Sequence, residues 1–446
     1  MSILPKKSRK KQGIQLFDGV FDLKRAFFYT IIIIHEYFFI KISECEEKGM
    51  YNKKTVKDID VSGKKVFLRC DFNVPLDENG EITDDIRIRG ALPTIRYLLE
   101  NNASIILCSH LGRPKGKVNP KMSLKPVAAA LEEFLHIKVP MAADINGPIA
   151  QMMANGIKPG QVMLLENIRF RPEEEANDPE FAKSLASMAD IFVNDAFGTA
   201  HRAHATTAGI ADYLPSVSGF LIDTEVKAMG RAMNNPQHPF VAILGGSKVS
   251  EKLKLIEKLL MEKCDTVLVV GAMSYTFRKA LGGNIGNSLY EESMVEEMGK
   301  LMERAKEQGC NLLLPVDNVV ADKFANDADI KVVPAGQIPD GYAGMDIGPA
   351  TAEMYARIIE SARTVVWNGP AGVFEMPNFA HGTETIAEAV AKVRGVSIIG
   401  GGDSAAAIAK MGYSRYVTHI STGGGASLNF LQGNVLPGIA CLDDKE

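Results

Sequence analysis

Long apolar runs are nearly absent from this chain of 446 residues. A membrane-spanning helix needs about 20 consecutive apolar residues. The nearest approach is Phe27 to Ile40, which is shorter and is broken by His35-Glu36. No small-residue cleavage site follows it, so it does not read as a secretion signal. Neither charge sign is in surplus. The 50 Lys and Arg against 54 Asp and Glu leave a net charge of −4, which gives no global case for binding nucleic acid. Cysteine is scarce, and Cys45, Cys70, Cys108, Cys264, Cys310 and Cys441 lack CxxC or zinc-finger spacing. They read as reduced thiols of a cytosolic protein. There is no solenoid-period repeat and no low-complexity tract. The chain is otherwise ordinary, 46% hydrophobic and 23% charged, and its length predicts two or three domains.

Glycine is placed with more pattern. Val396-Ser397-Ile398-Ile399 is an apolar strand that runs into Gly400-Gly401-Gly402-Asp403-Ser404, and an alanine-rich helix follows. Glycines let backbone approach a bulky anion, and a helix N-terminus offers unpaired N–H groups to it. Asp403 would repel phosphate unless a divalent metal lay between them, so this segment points to a Mg-nucleotide site. Val241-Ala242-Ile243-Leu244 likewise leads to Gly245-Gly246-Ser247-Lys248, and Val249 to Leu260 is helical in pattern. Lys248 and Lys252, four apart, are expected to share one face of that helix. This is not a Walker A loop, because its spacing is absent. Thr364 to Trp367 leads to Asn368-Gly369-Pro370, and Val417 to Ile420 leads to Ser421-Thr422-Gly423-Gly424-Gly425. In open α/β sheets, ligands sit at the carboxyl ends of strands.

The first half ends its strands differently. Val66 to Cys70 leads to Asp71-Phe72-Asn73, and Ile105 to Ser109 leads to His110-Leu111-Gly112-Arg113. Val162 to Asn167 leads to Ile168-Arg169-Phe170-Arg171, and Ile191 to Asn194 leads to Asp195-Ala196-Phe197-Gly198 with His201-Arg202 beyond. If these strands are parallel, Arg87, His110, Arg113, Arg169 and Arg202 form one basic cluster. Such arginine forks suit phosphate or carboxylate. Amphipathic helices alternate with the strands, at Ser123–Leu135, Pro179–Ala189, Met294–Gln308 and Ala350–Ala362. That alternation predicts parallel sheets with helices on both faces. The polar break Asn234 to Pro239 separates the two halves, and Asp223 to Met233 reads as a helical spacer before it.

These stretches, in this order and spacing, resemble phosphoglycerate kinase over residues 50–446. They include Arg69-Cys70-Asp71-Phe72-Asn73-Val74-Pro75, Ser109-His110-Leu111-Gly112-Arg113-Pro114, Leu244-Gly245-Gly246-Ser247-Lys248, Trp367-Asn368-Gly369-Pro370 and Gly400 to Ser404. Ser247 stands where many members have alanine, and Cys70 where many have valine. The resemblance implies an α/β fold of two Rossmann-like domains with parallel sheets flanked by helices, facing each other across a cleft. It divides the chain into an extension (1–49), a 3-phosphoglycerate-binding domain (50–222), an inter-domain helix and hinge (223–235), a nucleotide-binding domain (236–433) and a tail returning to the first domain (434–446).

The implied reaction is reversible phosphoryl transfer between 1,3-bisphosphoglycerate and ADP, with Mg²⁺ as cofactor. His110, Arg113, Arg169 and Arg202 would grip the phosphate of 3-phosphoglycerate. Asp71 and Asn73 would take its hydroxyl and carboxyl end, with Phe72, Leu111 and Gly112 beside them. Arg87, Lys252 and Gly402 are the implied catalytic positions, around the group in transfer. Gly246, Lys248, Asn368, Gly401, Gly402 and Ser404 would hold nucleotide phosphates, and Asp403 the metal. Glu375 would accept from the ribose, and Gly271, Gly344 and Met345 would line the adenine slot. The implied protein is a cytoplasmic monomer that binds neither nucleic acid nor membrane.

A Rossmann dehydrogenase would need a G-x-G-x-x-G turn with an acid about 20 residues on, which these glycines do not fit well. A non-catalytic module on the same fold would be expected to have lost Arg87, Lys252 or Asp403, and all are present. Residues 1–49 fall outside the pattern. Glu46-Glu47-Lys48-Gly49 can be encoded by a purine-rich stretch resembling a ribosome-binding site, so Met50 is expected to be the true start. The competing reading of 1–49 is a membrane-associating extension.

Overall fold

A computed structural model describes residues 52–262 and 264–445, so the readings for residues 1–49 lie outside the described residues. The first half forms β1 (Lys65–Arg69), β2 (Ser104–Cys108), β3 (Val162–Leu164), β4 (Ile191–Asn194) and β5 (Ser216–Ser218). They pair in the order β3-β2-β1-β4-β5, all parallel. Parallel strands covered on both faces read as unbroken apolar runs, and Val66, Phe67 and Leu68 are all fully buried. Leu68 and Ile105 belong to the core on one face, and Phe67 and Ile106 to the core on the other.

The second half contains β6 (Phe240–Leu244), β7 (Thr266–Val269), β8 (Asn284–Ile285), β9 (Asn311–Leu313), β10 (Asp317–Ala321), β11 (Ile330–Pro334), β12 (Gln337–Ile338), β13 (Ala343–Ile347), β14 (Thr364–Asn368), β15 (Val396–Gly400) and β16 (His419–Ile420). Six of these form a second parallel sheet in the order β16-β15-β14-β6-β7-β9. The expected parallel architecture is therefore present twice. A three-stranded antiparallel sheet, β11-β10-β13, was not foreseen. Its strand β11 is largely solvent-facing and lacks the apolar run that betrays a buried strand.

Register sets up the chemistry. In the first sheet Arg69 lies opposite both Cys108 and Asn194, and in the second Asn368 lies opposite both Leu244 and Gly400. Neighbouring strands thus end at one level, and the loops leaving them gather on one side. The helix Phe220–Asn234 joins the two sheets and is longer than the expected spacer. The helix Pro437–Ala440 and the tail lie against the first sheet. Asn194 Nδ2 donates to Gly438 O at 2.7 Å, and Asp443 N to Ser216 O at 2.8 Å. Among the described residues, no helix is long and apolar enough to cross a membrane.

Candidate active site

In the first half, Asp71, His110, Arg169 and Arg202 leave the ends of β1 to β4, and Arg87 is the second residue of the helix Ile86–Glu100. Arg87 Nη1 pairs with Asp71 Oδ2, and His110 Nδ1 lies 3.9 Å from Asp71 Oδ1. Gly198 passes so close that a Cβ there would stand 2.3 Å from Asp71 Oδ2. Arg169 is only 3% exposed. Its Nη1 donates to Gly112 O at 2.9 Å, while Nη2 meets no acceptor among the described residues. Its Nε faces Glu175 Oε1 at 3.3 Å but outside hydrogen-bond geometry. Burial first, then Arg69 and Arg202, pull its pKa down to about 10. A buried guanidinium with unspent donors, beside other cations, is the arrangement an incoming anion stabilises.

The arginines supply the charge; His110 does not. Burial, then Arg69, Arg169, Arg87 and Arg202, hold the His110 ring well below the ordinary histidine range, so it is neutral at pH 7. This corrects the counting of His110 as a cation. His201 and His204, beside Arg202, are also pushed down, His204 to about 4, mainly by burial.

Phe72 and Leu111 place their side chains in the core, so they offer the site only main chain. Asn167 holds the turn, accepting from Leu111 N at 3.2 Å and Arg169 N at 3.1 Å while donating to Leu111 O at 2.7 Å. Asn73 Oδ1 accepts from Gly112 N at 2.7 Å. Arg202 is half-buried, with Nε 3.2 Å from His201 Nε2, and Arg113 is exposed.

Sequence reasoning passed over the floor of the cluster. Arg69, fully buried, donates through Nε to Thr206 Oγ1 at 2.8 Å and lies 3.3 Å from His110 Nδ1. Thr206 in turn donates from N and Oγ1 to the buried Glu174 at 2.9 and 2.6 Å. Burial raises the pKa of Glu174, against the opposing pull of Arg69. An arginine closing the apolar strand Val66-Phe67-Leu68 was the available signal, since a charge there needs a buried partner.

In the second half the loops after β6 and β14 touch backbone to backbone, and the turn after β15 lies against the Asn368 side chain. A Cβ on Gly245 would stand 2.3 Å from Pro370 O, and one on Gly369, at φ 106, would stand 2.3 Å from Gly245 C. Gly401, at φ 90, turns β15 into the helix Gly402–Lys410, whose first N–H groups have no intrahelical acceptor. These loops enclose a cavity of about 150 Å³ lined by Lys248, Lys252, Asn368, Gly401, Gly402 and Asp403. Lys252 Nζ pairs with Asn368 Oδ1, and burial lowers its pKa against the pull of Glu251 and Asp403. Asn368 Nδ2 is buried without an acceptor among the described residues.

Two expectations change here. The helix begins at Leu253, with Lys252 as its N-cap, so Lys248 lies in the preceding turn instead of sharing a helical face with Lys252. Lys248 is 63% exposed and 3.4 Å from Glu251 Oε1. Ser404 also lines the small cavity; it is buried, and its Oγ accepts from Gly369 N at 2.6 Å, so the hydroxyl fastens the loop. The loop Ser421–Gly425 lines neither cavity. It turns to the basic half instead: a Cβ on Gly423 would stand 2.3 Å from Phe197 Cε1, and Thr422 N donates to the buried Glu225 at 3.0 Å.

A larger cavity, of about 450 Å³, adjoins the first and shares Gly246 and Ser247 with it. Gly271, Gly344 and Met345 line it, with Leu289, Phe324 and Val373. A Cβ on Gly344 would fall on Tyr275 Oη, and one on Gly271, at φ 65, would stand 2.8 Å from Gly246 N. Only glycine keeps those walls flat. Trp367 is fully buried and donates to Gly369 O at 2.8 Å, so it braces the loop. Glu375 is exposed and belongs to neither wall. An apolar slot opening into a polar cavity at a helix N-terminus has the form of a nucleotide site.

A family model for phosphoglycerate kinase matches residues 56–434. The chain belongs to the phosphoglycerate kinase family. It is 56% identical over 398 residues to the phosphoglycerate kinase of Clostridium botulinum strain 657, covering 89% of this chain and 100% of that protein. The Clostridium tetani phosphoglycerate kinase is 54% identical, over 89% of this chain and 99% of its own. The solved phosphoglycerate kinase of Coxiella burnetii matches with a TM-score of 0.80 at 43% identity, over 87% of this chain and 98% of that one. That of Pyrococcus horikoshii OT3 gives 0.76 at 35%, with the same coverage. As a phosphoglycerate kinase, the protein catalyses reversible phosphoryl transfer between 1,3-bisphosphoglycerate and ADP, a step of glycolysis.

Proposed function

We propose that the two halves hold the two substrates of this reaction. Arg169, Arg202 and Arg113 bind the non-transferring phosphate of 3-phosphoglycerate, and neutral His110 adds a hydrogen bond. Asp71 and Asn73 meet its hydroxyl and carboxyl end, framed by the main chain of Phe72, Leu111 and Gly112. The unspent donors of buried Arg169 are the observation that carries this reading. The nucleotide lies with its base between Gly271 and Gly344–Met345 and its phosphates beside Gly246, Lys248, Asn368 and the Gly401–Gly402 turn. Glu375 takes the ribose when the loop beside it adjusts.

Asp403 fits a magnesium site shared with the nucleotide. It is an exposed carboxylate on the wall of the small cavity, and no cluster of three or more protein ligands exists among the described residues. Mg²⁺ prefers one or two carboxylates plus phosphate oxygens and water over an all-protein cage. When bound, the ion would neutralise phosphate charge.

In the ATP-forming direction the bond from the acyl oxygen of 1,3-bisphosphoglycerate to phosphorus breaks. The carboxylate leaves with the electron pair, and a β-phosphate oxygen of ADP bonds to phosphorus. No general base is required, because the carboxylate is already ionised at pH 7 in the reverse direction. The protein's part is alignment, charge stabilisation and exclusion of water. Arg87, released from Asp71, and Lys252, from Asn368, face the moving group with the Gly402 N–H. The substrates come together by closure of two domains, 50–222 and 236–433, about the hinge 223–235, with the tail 434–446 on the first. The enzyme works as a cytoplasmic monomer. A coupled assay with 3-phosphoglycerate, ATP and Mg²⁺ tests the reading. Turnover should need all three, and full activity in excess chelator would remove the metal from it.

A further inference from the structure

Asp346 follows Gly344 and Met345 on β13, next to the 450 Å³ cavity. It is 1% exposed, yet it is ionisable. Its Oδ1 accepts from Ile347 N at 2.8 Å and its Oδ2 from Gly382 N at 2.7 Å. Gly382 is the second residue of the helix His381–Ala391, so the carboxylate binds the first turn of that helix.

The wall adjoining β13 is Ala371-Gly372-Val373, and Val373 N donates to Met345 O at 2.9 Å. A Cβ on Gly372 would stand 2.3 Å from Asp346 Oδ1, and one on Gly382 at the same distance. One buried carboxylate therefore touches the strand, the adjoining wall and the helix behind it. Burial pushes its pKa up to about 7, and no cation is among the causes of the shift. The titratable group facing it is the Tyr275 phenol, which also abuts Gly344. A carboxylate buried at such cost, with no ion partner among the described residues, is retained for what it holds in place.

We propose that Asp346 is a positioning residue for the purine slot, setting the distance between the Gly344–Met345 wall and the Ala371–Val373 wall. This rests on the reading of that cavity as the nucleoside site. Asp346→Asn keeps one acceptor but turns an NH₂ toward Gly382 N–H, which should let the helix and wall move apart.

The test is adenosine, which lacks phosphate, as a competitive inhibitor against ATP. In Asp346→Asn its inhibition constant and the KM for ATP should both rise about tenfold. The Kd for 3-phosphoglycerate and kcat at saturating ATP should stay within about twofold. If Asp346→Asn does not fold, Gly372→Ala, which drives a methyl against the same oxygen, should give the same split. Unchanged adenosine inhibition in a folded variant overturns the proposal. So does a loss shared equally by 3-phosphoglycerate, which marks a merely structural role. If the wild-type enzyme itself shows no inhibition by adenosine, the nucleoside reading of the cavity fails with it.

Discussion

Arg87 and Arg169 carry the same charge in different settings. Arg87 is partly exposed, 31% by side chain, and holds the Asp71 carboxylate, a partner that a substrate carboxyl can replace. Arg169 is buried and fixed to Gly112 O. On the proposed assignment, charge that moves during reaction belongs to the first, and charge that stays belongs to the second. Arg87→Ala should therefore lower kcat by about 10³-fold or more, as for other catalytic arginines in phosphoryl transfer. Arg169→Ala should mainly raise the KM for 3-phosphoglycerate, by about 10- to 100-fold, the worth of a charge-assisted hydrogen bond. Steady-state kinetics of the pair checks this, and equal kcat effects would refute the division. Asp403→Ala should weaken Mg-nucleotide binding while leaving 3-phosphoglycerate affinity nearly unchanged, as calorimetry can read. Equal loss at both substrates would make Asp403 structural.

At the scale of elements, the connecting helix Phe220–Asn234 depends on a buried carboxylate at its start. Asp195 Oδ1 accepts from Leu221 N at 2.8 Å and Ile222 N at 3.3 Å. Burial raises its pKa from 3.8 to about 7, against the hydrogen bonds from Thr94 and the helix. The folded state then binds the proton more tightly than the unfolded state. Stability is full below the unfolded value of 3.8 and is lost as pH rises through about 7. Asp195→Asn, whose carbonyl can still cap the helix, should flatten that slope. Urea midpoints across this pH window are the measurement, and an undiminished slope would assign the dependence elsewhere. Strand ends were legible for a related reason: a strand buried on both faces must be apolar, and it stops where polar or glycine residues begin. The start of the helix at Leu253 was not legible, because Val249 and Leu255 keep an apolar spacing through a turn that is not yet helical.

For the molecule as a whole, the proposed function requires that residues of two sheets act on one phosphoryl group. The joint between them is visible in contacts. His419 Nε2 lies 2.7 Å from Glu225 Oε2 on the connecting helix, and Thr422 N reaches the other oxygen of that carboxylate at 3.0 Å. The next residue, Gly423, packs against Phe197. Small-angle scattering should show contraction only when both substrates, or a bisubstrate mimic, are bound. An unchanged radius of gyration in the ternary complex would exclude closure. A chain beginning at Met50 should keep the activity and melting temperature of the full chain, because a relative is matched over its whole length by 89% of this chain. A large loss of either would show that residues 1–49 contribute.

The sequence by itself determined the two parallel sheets, the order of the strand-end motifs and the family, because apolar runs, glycine turns and arginines after strands are local signals. It also located Arg87, Arg169, Lys252 and Asp403 beside their strands or helices. Only the tertiary structure decided which side chains carry charge and which merely hold the frame. His110 is neutral because four arginines and burial surround it. Ser404 is turned inward because Gly369 N, 35 residues away, meets its hydroxyl. Arg69 and Asp346 matter through Thr206 and Gly382, partners 137 and 36 residues distant. Burial and long-range hydrogen bonds set a side chain's charge and direction, and neither is a property of the residues next to it in the chain.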